Sequence, residues 1–304
     1  MVDGLTISGF ADEICADFDE QLRTVTDLGM NHICLRAADG KGIASYTVDE
    51  VQKLLLPRLR ARGVNVSSLG SPIGKIDLTD DTAFDRQLAQ LETLCQICEL
   101  LGSRYVRVFS FYVPADQPPG AFADAVVARM GQFAEIAQRY GVILIHENEK
   151  GIFGDSASRC RTLLDTVNSG HFKAAFDFAN FVQCGEDPIE CWMQLREHVV
   201  YFHIKDAVRT TEANVLCGTG DGHIADILKS AIANGYRGFL TLEPHLAKFD
   251  TFKSLERSTT VSSPQPIDRP RRLEGPGAYA AQYHALLAIL DAIAQEPVVS
   301  PTGD

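Results

Sequence analysis

Basic residues are scarce in this sequence of 304 residues, where 28 lysines and arginines stand against 40 aspartates and glutamates. The formal net charge of -12 would repel nucleic acid and anionic membrane surfaces, so we expect neither as a partner. Hydrophobic residues make up 45% of the chain and charged residues 22%, as in ordinary globular proteins. A chain of this length can bury a large apolar core without disulfides or metals as staples.

Long apolar runs and a targeting signal are also missing. The chain has no stretch of about 18 or more uncharged apolar residues, which a membrane-spanning helix would need. Its first residues, Met1-Val2-Asp3-Gly4, do not begin a basic region followed by an apolar core, as a signal peptide would. These features predict a cytoplasmic protein.

The eight cysteines follow neither a disulfide pattern nor a zinc-binding pattern. A chain this large needs no disulfide framework. Cys95 and Cys98 are spaced as C-x2-C, but no second Cys or His pair lies at zinc-site spacing. Both also belong to an amphipathic helical pattern, so we expect them to be buried thiols.

Short apolar runs alternate with longer amphipathic runs along the whole chain. The short runs are rich in Val, Ile and Phe and mostly continuous, as expected for parallel strands buried on both faces. The longer runs repeat apolar residues at three- and four-residue steps, which predicts helices. The predicted strands are residues 5–10, 32–35, 64–69, 105–109, 142–146, 174–178, 199–204 and 239–243. The predicted helices are residues 16–28, 48–62, 81–101, 121–140, 156–167, 188–196, 224–233 and 277–294.

Glycines separate most of these predicted helices from the strands that follow, as glycines just beyond a helix end do. They are Gly29, Gly63, Gly102, Gly141 and Gly235. Eight units of strand then helix predict an α/β fold that is either a closed (β/α)8 TIM barrel or a doubly wound sheet. We predict a single-domain barrel over residues 1–304, because no G-x-G-x-x-G follows the first strand.

A polar segment at about 248–276 departs from this pattern and is predicted to be a long loop after strand eight. Ser, Thr, Pro and Arg are in excess there. Loops of such length without secondary structure are usually functional or disordered. A mobile excursion, a lid over the active site and a contact between subunits of a homo-oligomer all stay open.

Four consecutive predicted strands end in residues that bind metals. Functional residues of (β/α)8 barrels lie at the C-terminal ends of the strands. Three carboxylates brought together there would repel one another unless a divalent cation bound them. The four residues are Glu147, Asp177, His203 and Glu243. Three oxygen ligands and one nitrogen ligand favour one Mn²⁺, with Mg²⁺, Co²⁺ and Zn²⁺ as alternatives.

Two lysines near these strand ends are candidates for substrate binding. Lys205 follows His203 by two residues and therefore faces the same side of its strand. It could contact a substrate oxygen or phosphate, or form a salt bridge with Asp206 at the rim. The same alternatives apply to Lys150.

The glycine-rich stretch at residues 215–222 also has two interpretations. Its backbone N–H groups could bind a phosphate. Alternatively, it is a tight turn with Asp221 near the start of the next helix. It lacks the Lys-Ser/Thr ending of a P-loop, which argues against nucleotide binding.

The sequence resembles the xylose isomerase-like barrel superfamily of sugar phosphate isomerases and epimerases, whose relatives include inosose dehydratases, ketose 3-epimerases and metal-dependent apurinic endonucleases. The resemblance runs from residues 8–13 to the last helix. Its most specific parts are Glu147-Asn148, the strand end at Asp177, and residues 203–206, 218–222 and 242–245.

This resemblance implies that Glu147, Asp177, His203 and Glu243 bind a divalent metal, and that Glu147 and Glu243 also exchange protons with the substrate. Members commonly carry His three residues after the Asp ligand and two residues after the first Glu. Asn180 and Glu149 stand at those places and would change contacts to the substrate. Asn180 is therefore a candidate substrate-binding residue, together with Lys205 and Lys150.

We expect an isomerase or epimerase that removes a proton next to the carbonyl of a small sugar or sugar phosphate and forms an enediolate. A lyase acting on a keto-inositol or a 3-keto-glycoside begins with the same step and is the alternative. An endonuclease would need several metals, more histidines and a basic groove, which eight histidines and a net charge of -12 do not favour. The four-residue set argues against a barrel without enzymatic activity.

Overall fold

The structure is a computed structural model that describes residues 3–246 and 275–295. The loop predicted at about 248–276 lies outside these residues, except for Gly275 and Pro276, which begin the last helix. Within the described ranges, no helix combines the length and the hydropathy needed to cross a membrane.

Eight parallel strands form one sheet that curls into a nearly closed ring. They are β1 (Thr6–Gly9), β2 (His32–Leu35), β3 (Asn65–Leu69), β4 (Tyr105–Val108), β5 (Ile143–Glu147), β6 (Phe172–Asp177), β7 (Val199–Ile204) and β8 (Phe239–Leu242). Each strand pairs with the next along the chain from β2 to β8, and β8 pairs with β1. A parallel bridge between Phe10 and Cys34 links β1 to β2. The predicted α/β TIM barrel is confirmed.

The helices lie between the strands, and most start at a side-chain cap. They are α1 (Phe18–Asp27), α2 (Leu56–Arg62), α3 (Asp81–Leu101), α4 (Ala123–Tyr140), α5 (Ala157–Val167), α6 (Phe178–Gln183), α7 (Pro188–Leu195), α8 (Ile224–Ala233) and α9 (Gly275–Gln295). Asp17, Asp80 and Ser156 each accept a backbone N–H of the first helical turn. Gly102 and Gly141 adopt the left-handed conformation at the ends of α3 and α4, as predicted.

Two parts of the helix prediction were wrong. The predicted helix at 48–62 is interrupted by a π-helical turn over Val51–Leu55. The short helix α6 was not predicted. It begins directly after β6 because the Asp177 carboxylate accepts the N–H of Asn180 and caps it.

No disulfide bond links the cysteines. All eight cysteines are free, and Cys95 and Cys98 are buried within α3, as predicted from the helical pattern. They pack among apolar side chains of the continuous core that separates the strands from the helices.

Hydroxyl groups fill part of the barrel lumen. The Tyr201 hydroxyl lies 2.6 Å from Oγ1 of Thr241, 2.8 Å from Oγ of Ser67 and 3.0 Å from Oγ of Ser68. Ser8 joins the same network at 2.6 Å from Ser67. These side chains belong to β1, β3, β7 and β8, so the network ties strands together across the barrel interior.

Candidate metal centre

The four predicted ligands meet at the C-terminal rim of β5 to β8. Glu147 and Asp177 end β5 and β6, His203 is the next-to-last residue of β7, and Glu243 follows β8. Asp177 and His203 are register partners, and the N–H of Glu243 donates to the carbonyl of Ile204. One ligand atom from each of the four residues lies within 4.8 Å of the others.

All four side chains are buried, and three of their polar atoms have no hydrogen-bond partner within the described residues. These atoms are Oδ2 of Asp177, Nε2 of His203 and Oε2 of Glu243. Buried polar atoms almost always have a partner, so three such atoms in one cluster are expected of a site that binds an ion. Three carboxylates and one imidazole suit a hard or borderline divalent cation. The residues present therefore fit such an ion.

Contacts within the cluster hold the side chains in place. Nδ1 of His203 lies 2.8 Å from Oε1 of Glu147 and 3.4 Å from Oε2 of Glu243. Oδ1 of Asp177 accepts the N–H of Asn180 at 2.7 Å, which leaves its Oδ2 directed at the cluster. Nζ of Lys205 lies 3.1 Å from this Oδ2. The two groups form an ion pair, but their geometry is not that of a hydrogen bond.

Burial and neighbouring charges move the pKa values of the carboxylates in opposite directions. Burial raises the pKa of Asp177 to about 7, although the Lys205 charge opposes this shift. Burial also acts on Glu147, but the charges of His203 and Arg107 outweigh it and lower the pKa to about 2. At neutral pH, Glu147 is therefore ionised while Asp177 is partly protonated. Negative charge is thus distributed unevenly over the carboxylates of the centre.

Two buried arginines contact the glutamates and were not recognised in the sequence. Arg107 lies within β4, and its Nη1 is 3.1 Å from Oε2 of Glu147 and 3.5 Å from Oε1 of Glu243. Arg36 directly follows β2, and its Nη1 is 3.0 Å from the same Glu243 oxygen. Both guanidinium groups lie over the ring of Phe10, at 4.5 Å for Arg36 and 4.9 Å for Arg107. A signal was present, because an arginine inside an apolar strand needs a buried partner.

A second acidic group adjoins the first on the side of β1. Nε2 of His245 lies 3.4 Å from Oε1 of both Glu13 and Glu243. Arg36 is also part of this group, 2.8 Å from Asp12 and 3.4 Å from Glu13. Burial raises the pKa of Glu13 to about 8. This group offers three candidate ligands, Glu13, Glu243 and His245, whereas the first offers four, so the first is the better candidate for a metal site.

The three residues predicted to bind substrate, Lys205, Asn180 and Lys150, lie in different environments. Lys205 is buried against Asp177, so the predicted alternative of a salt bridge with Asp206 was wrong. Asn180 borders the centre, with its Nδ2 donating to the carbonyl of Asn148 at 2.8 Å and lying 3.5 Å from Oε1 of Glu147.

The structure does not bring Lys150 to the buried centre. Its side chain is 59% exposed and pairs with Glu212 at 2.7 Å. Lys75 occupies a more protected place at the rim, where it pairs with Glu149 at 2.7 Å and lies 4.3 Å from the centre of the Phe109 ring.

The glycine-rich loop after β7 binds a carboxylate of the chain itself. Oδ2 of Asp206 accepts the N–H groups of Gly218 and Gly220, and Oδ1 accepts that of Gly222, at 2.8 to 3.0 Å. These donors are therefore used internally, which contradicts the phosphate-binding interpretation. Asp221 accepts the N–H of Arg209 instead of capping the next helix.

These features define a (β/α)8 barrel with a buried centre of carboxylates and histidine at the C-terminal rim of its strands. A family model described as xylose isomerase-like TIM barrel matches residues 22–261, and the chain belongs to this family.

Similar proteins include sugar epimerases. The probable L-ribulose-5-phosphate 3-epimerase of Mycoplasma pneumoniae is 23% identical over 149 residues, so the match spans about half of each protein, 49% of this chain and 49% of the relative. An L-ribulose 3-epimerase structure aligns with a TM-score of 0.71 and 18% identity, over 99% of both chains. The structure of a protein called IolI, which contains a zinc atom, aligns with a TM-score of 0.73 and 14% identity, over 96% of this chain and 100% of that one. At these identities the structural likenesses show the fold.

Proposed function

We propose that the protein is a divalent-metal-dependent epimerase or isomerase of a small sugar, in which Glu147 and Glu243 transfer a proton at a carbon next to a carbonyl. One observation supports this most directly. Carboxylates from β5 and β8, which are not adjacent strands, reach the same buried group of unpartnered ligand atoms. The names of two similar proteins, both 3-epimerases of L-ribulose or its phosphate, point to the same chemistry.

The residues proposed to hold the ion are Glu147, Asp177, His203 and Glu243, and Mn²⁺ is the ion that we propose. A bound divalent cation supplies stabilisation for the negative charge that develops on the carbonyl oxygen during proton removal. This stabilisation lowers the pKa of the neighbouring C–H bond, so that a carboxylate becomes a sufficient base.

The chain supplies the groups that move the proton. An ionised Glu147 takes the proton from the carbon, and the electron pair shifts towards the carbonyl to form an enediolate. In an epimerase, a proton from solvent passes through Glu243 to the opposite face of the same carbon, which inverts its configuration, and Glu147 releases its proton to solvent. Arg107 contacts both carboxylates and keeps them oriented for these transfers. Asn180 and Lys205 are proposed to orient the substrate hydroxyls beside them.

Solvent exchange tests this proposal because it reports proton removal whatever the product. Protein saturated with Mn²⁺ is incubated in D₂O with a panel of ketoses and aldoses, and deuterium incorporation is followed by NMR. We expect deuterium at the carbon next to the carbonyl, together with an epimer or an isomer of the sugar. Exchange accompanied by loss of water would indicate the lyase instead. Absence of exchange with every sugar in the panel would exclude enediolate chemistry.

A further inference from the structure

The candidate centre contains more negative than positive charge. Among the described residues, three buried lysine and arginine side chains contact five buried carboxylates in one connected cluster. The cations are Arg36, Arg107 and Lys205, and the carboxylates are Asp12, Glu13, Glu147, Asp177 and Glu243. With all carboxylates ionised and His203 neutral, as a metal-binding histidine must be, the cluster has two negative charges in excess, which one divalent cation would balance. Each of these cations contacts at least two of the carboxylates, so protonation of one carboxylate leaves every cation with another partner.

Each buried cation already has carboxylate partners. Arg36 contacts three carboxylates, and Arg107 and Lys205 contact two each. A phosphate ester brings about two further negative charges at neutral pH. Burying such a charge without a new cation is strongly unfavourable. The buried part of the site therefore suits an uncharged ligand.

Two lysines at the rim are also paired. Nζ of Lys75 lies 2.7 Å from Oε1 of Glu149, and Nζ of Lys150 lies 2.7 Å from Oε2 of Glu212. Each pair has no net charge, so a phosphate approaching either lysine would also meet a carboxylate. The rim thus offers no excess of positive charge at these two positions.

Backbone N–H groups in three of the glycine-containing loops are used internally as well. Phosphate sites commonly consist of such groups, often at the start of a helix. The donors after β7 bind Asp206, as described above. After β3, the N–H of Gly74 donates to Oε1 of Gln87 at 2.7 Å. After β5, the N–H of Gly154 donates to Oγ of Ser110 at 2.8 Å.

From these contacts we infer that the substrate is an uncharged keto sugar or related polyol ketone, and that phosphate esters of the same sugars are discriminated against. This inference rests on the proposed function. The hydroxyl groups of an uncharged sugar need only hydrogen-bond partners, which can be neutral or carry a single charge. The amide of Asn180 at the edge of the centre is such a partner. In this respect the chain would differ from the curated relative, whose name specifies a 5-phosphate.

Matched substrate pairs test the inference. Solvent exchange with the Mn²⁺-loaded protein is measured for L-ribulose and L-ribulose 5-phosphate, and for D-fructose and D-fructose 6-phosphate. Calorimetric titration measures binding of the same four compounds to the Glu147→Gln variant, whose turnover is expected to be at least about 10³-fold lower. We expect kcat/KM and affinity to be at least about 100-fold higher for the free sugar of the better pair, because an uncompensated buried charge costs several kcal/mol.

The possible failures are distinguishable. Equal or faster exchange with a phosphate ester would overturn the inference and leave the proposed function standing. Exchange with neither member of either pair, together with no binding of any of the four compounds, would overturn both.

Discussion

Nη1 of Arg107 lies 3.1 Å from Oε2 of Glu147, and both residues are buried on neighbouring strands of the barrel. The same nitrogen is 3.5 Å from Glu243, so one guanidinium connects the two proposed acid–base residues. Its positive charge is one of the causes that lower the pKa of Glu147. Arg107 is therefore a positioning residue whose loss should affect proton transfer as well as folding.

The Arg107→Lys variant keeps the charge but loses the planar group that reaches two carboxylates. We expect kcat to fall by about 10-fold or more, which corresponds to roughly 1.4 kcal/mol in the barrier. In protein kept saturated with Mn²⁺, the acidic limb of the pH profile of kcat/KM should move to higher pH, because the shorter lysine no longer holds its charge beside Glu147 and the pKa of Glu147 rises. Arg129→Lys, a mostly buried arginine of α4 that pairs with Asp81 away from the centre, serves as the control and should leave the profile unchanged. An unshifted profile in Arg107→Lys would show that Arg107 has only a structural role.

Replacing either glutamate with glutamine separates proton transfer from metal binding. The amide retains an oxygen ligand but cannot accept the proton, so we expect Glu147→Gln and Glu243→Gln each to reduce turnover by about 10³-fold or more. Mn²⁺ binding should become weaker but remain measurable by calorimetry. Glu92→Gln, on the exposed face of α3, is the matched control. Full turnover in either active-site variant would rule out the two-glutamate mechanism.

The raised pKa of Asp177 predicts that metal binding depends on pH. A ligand carboxylate must lose its proton before it binds a metal. With a pKa of about 7, Asp177 is mostly protonated at pH 6. We expect Mn²⁺ binding at pH 6 to release about one proton, and its affinity to fall by about tenfold per pH unit below pH 7. Calorimetry in buffers of different ionisation enthalpy measures both quantities.

The same shift has a consequence for stability. An acid whose pKa is higher in the folded state contributes stability at low pH that is lost as the pH rises towards the folded pKa. For Asp177 this loss spans pH 4 to 7 in the metal-free protein. The increase in Tm caused by Mn²⁺ should therefore be larger at pH 8 than at pH 5. An increase that is independent of pH would argue against Asp177 as a ligand.

Asp206 is predicted to stabilise the loop after β7. Its carboxylate accepts three glycine N–H groups and also that of Ala207. In Asp206→Asn one acceptor oxygen becomes a donor, so at least one buried N–H loses its partner, at a cost of about 2 kcal/mol. Asp221→Asn is the control, because Asp221 lies at an exposed position and its change should cost less than about 0.5 kcal/mol. Urea denaturation measures both, and equal losses would contradict this role.

The strands and the rim ligands could be predicted because both depend on local sequence. A buried parallel strand is a continuous apolar run, and a ligand at its end is the first polar residue after it. The predicted ends of strands and helices were less accurate where a side-chain cap sets the boundary. The predicted strand 174–178 is observed as Phe172–Asp177, because capping by Asp177 starts a helix at Phe178.

The partners of the ligands could not be predicted in this way. Arg36 is 207 residues from Glu243 along the chain, and Arg107 is 136 residues from it. Only closure of the barrel brings these side chains together. Lys150 is close to Glu147 in sequence, but beyond the strand end the chain turns at Gly151, which has a positive φ. Its side chain consequently faces Glu212 rather than the centre.

The most direct test of the metal centre is titration of metal-free protein with Mn²⁺, with the free ion followed by its EPR signal. We predict about one bound ion per chain for the wild type, as a single centre with this donor set requires. Asp177→Ala and His203→Ala should abolish binding at the same concentrations, whereas Glu13→Gln, in the group held by Arg36, should retain it. Unchanged binding in the Asp177 and His203 variants, or its loss only in Glu13→Gln, would contradict the assignment of the metal to these four residues.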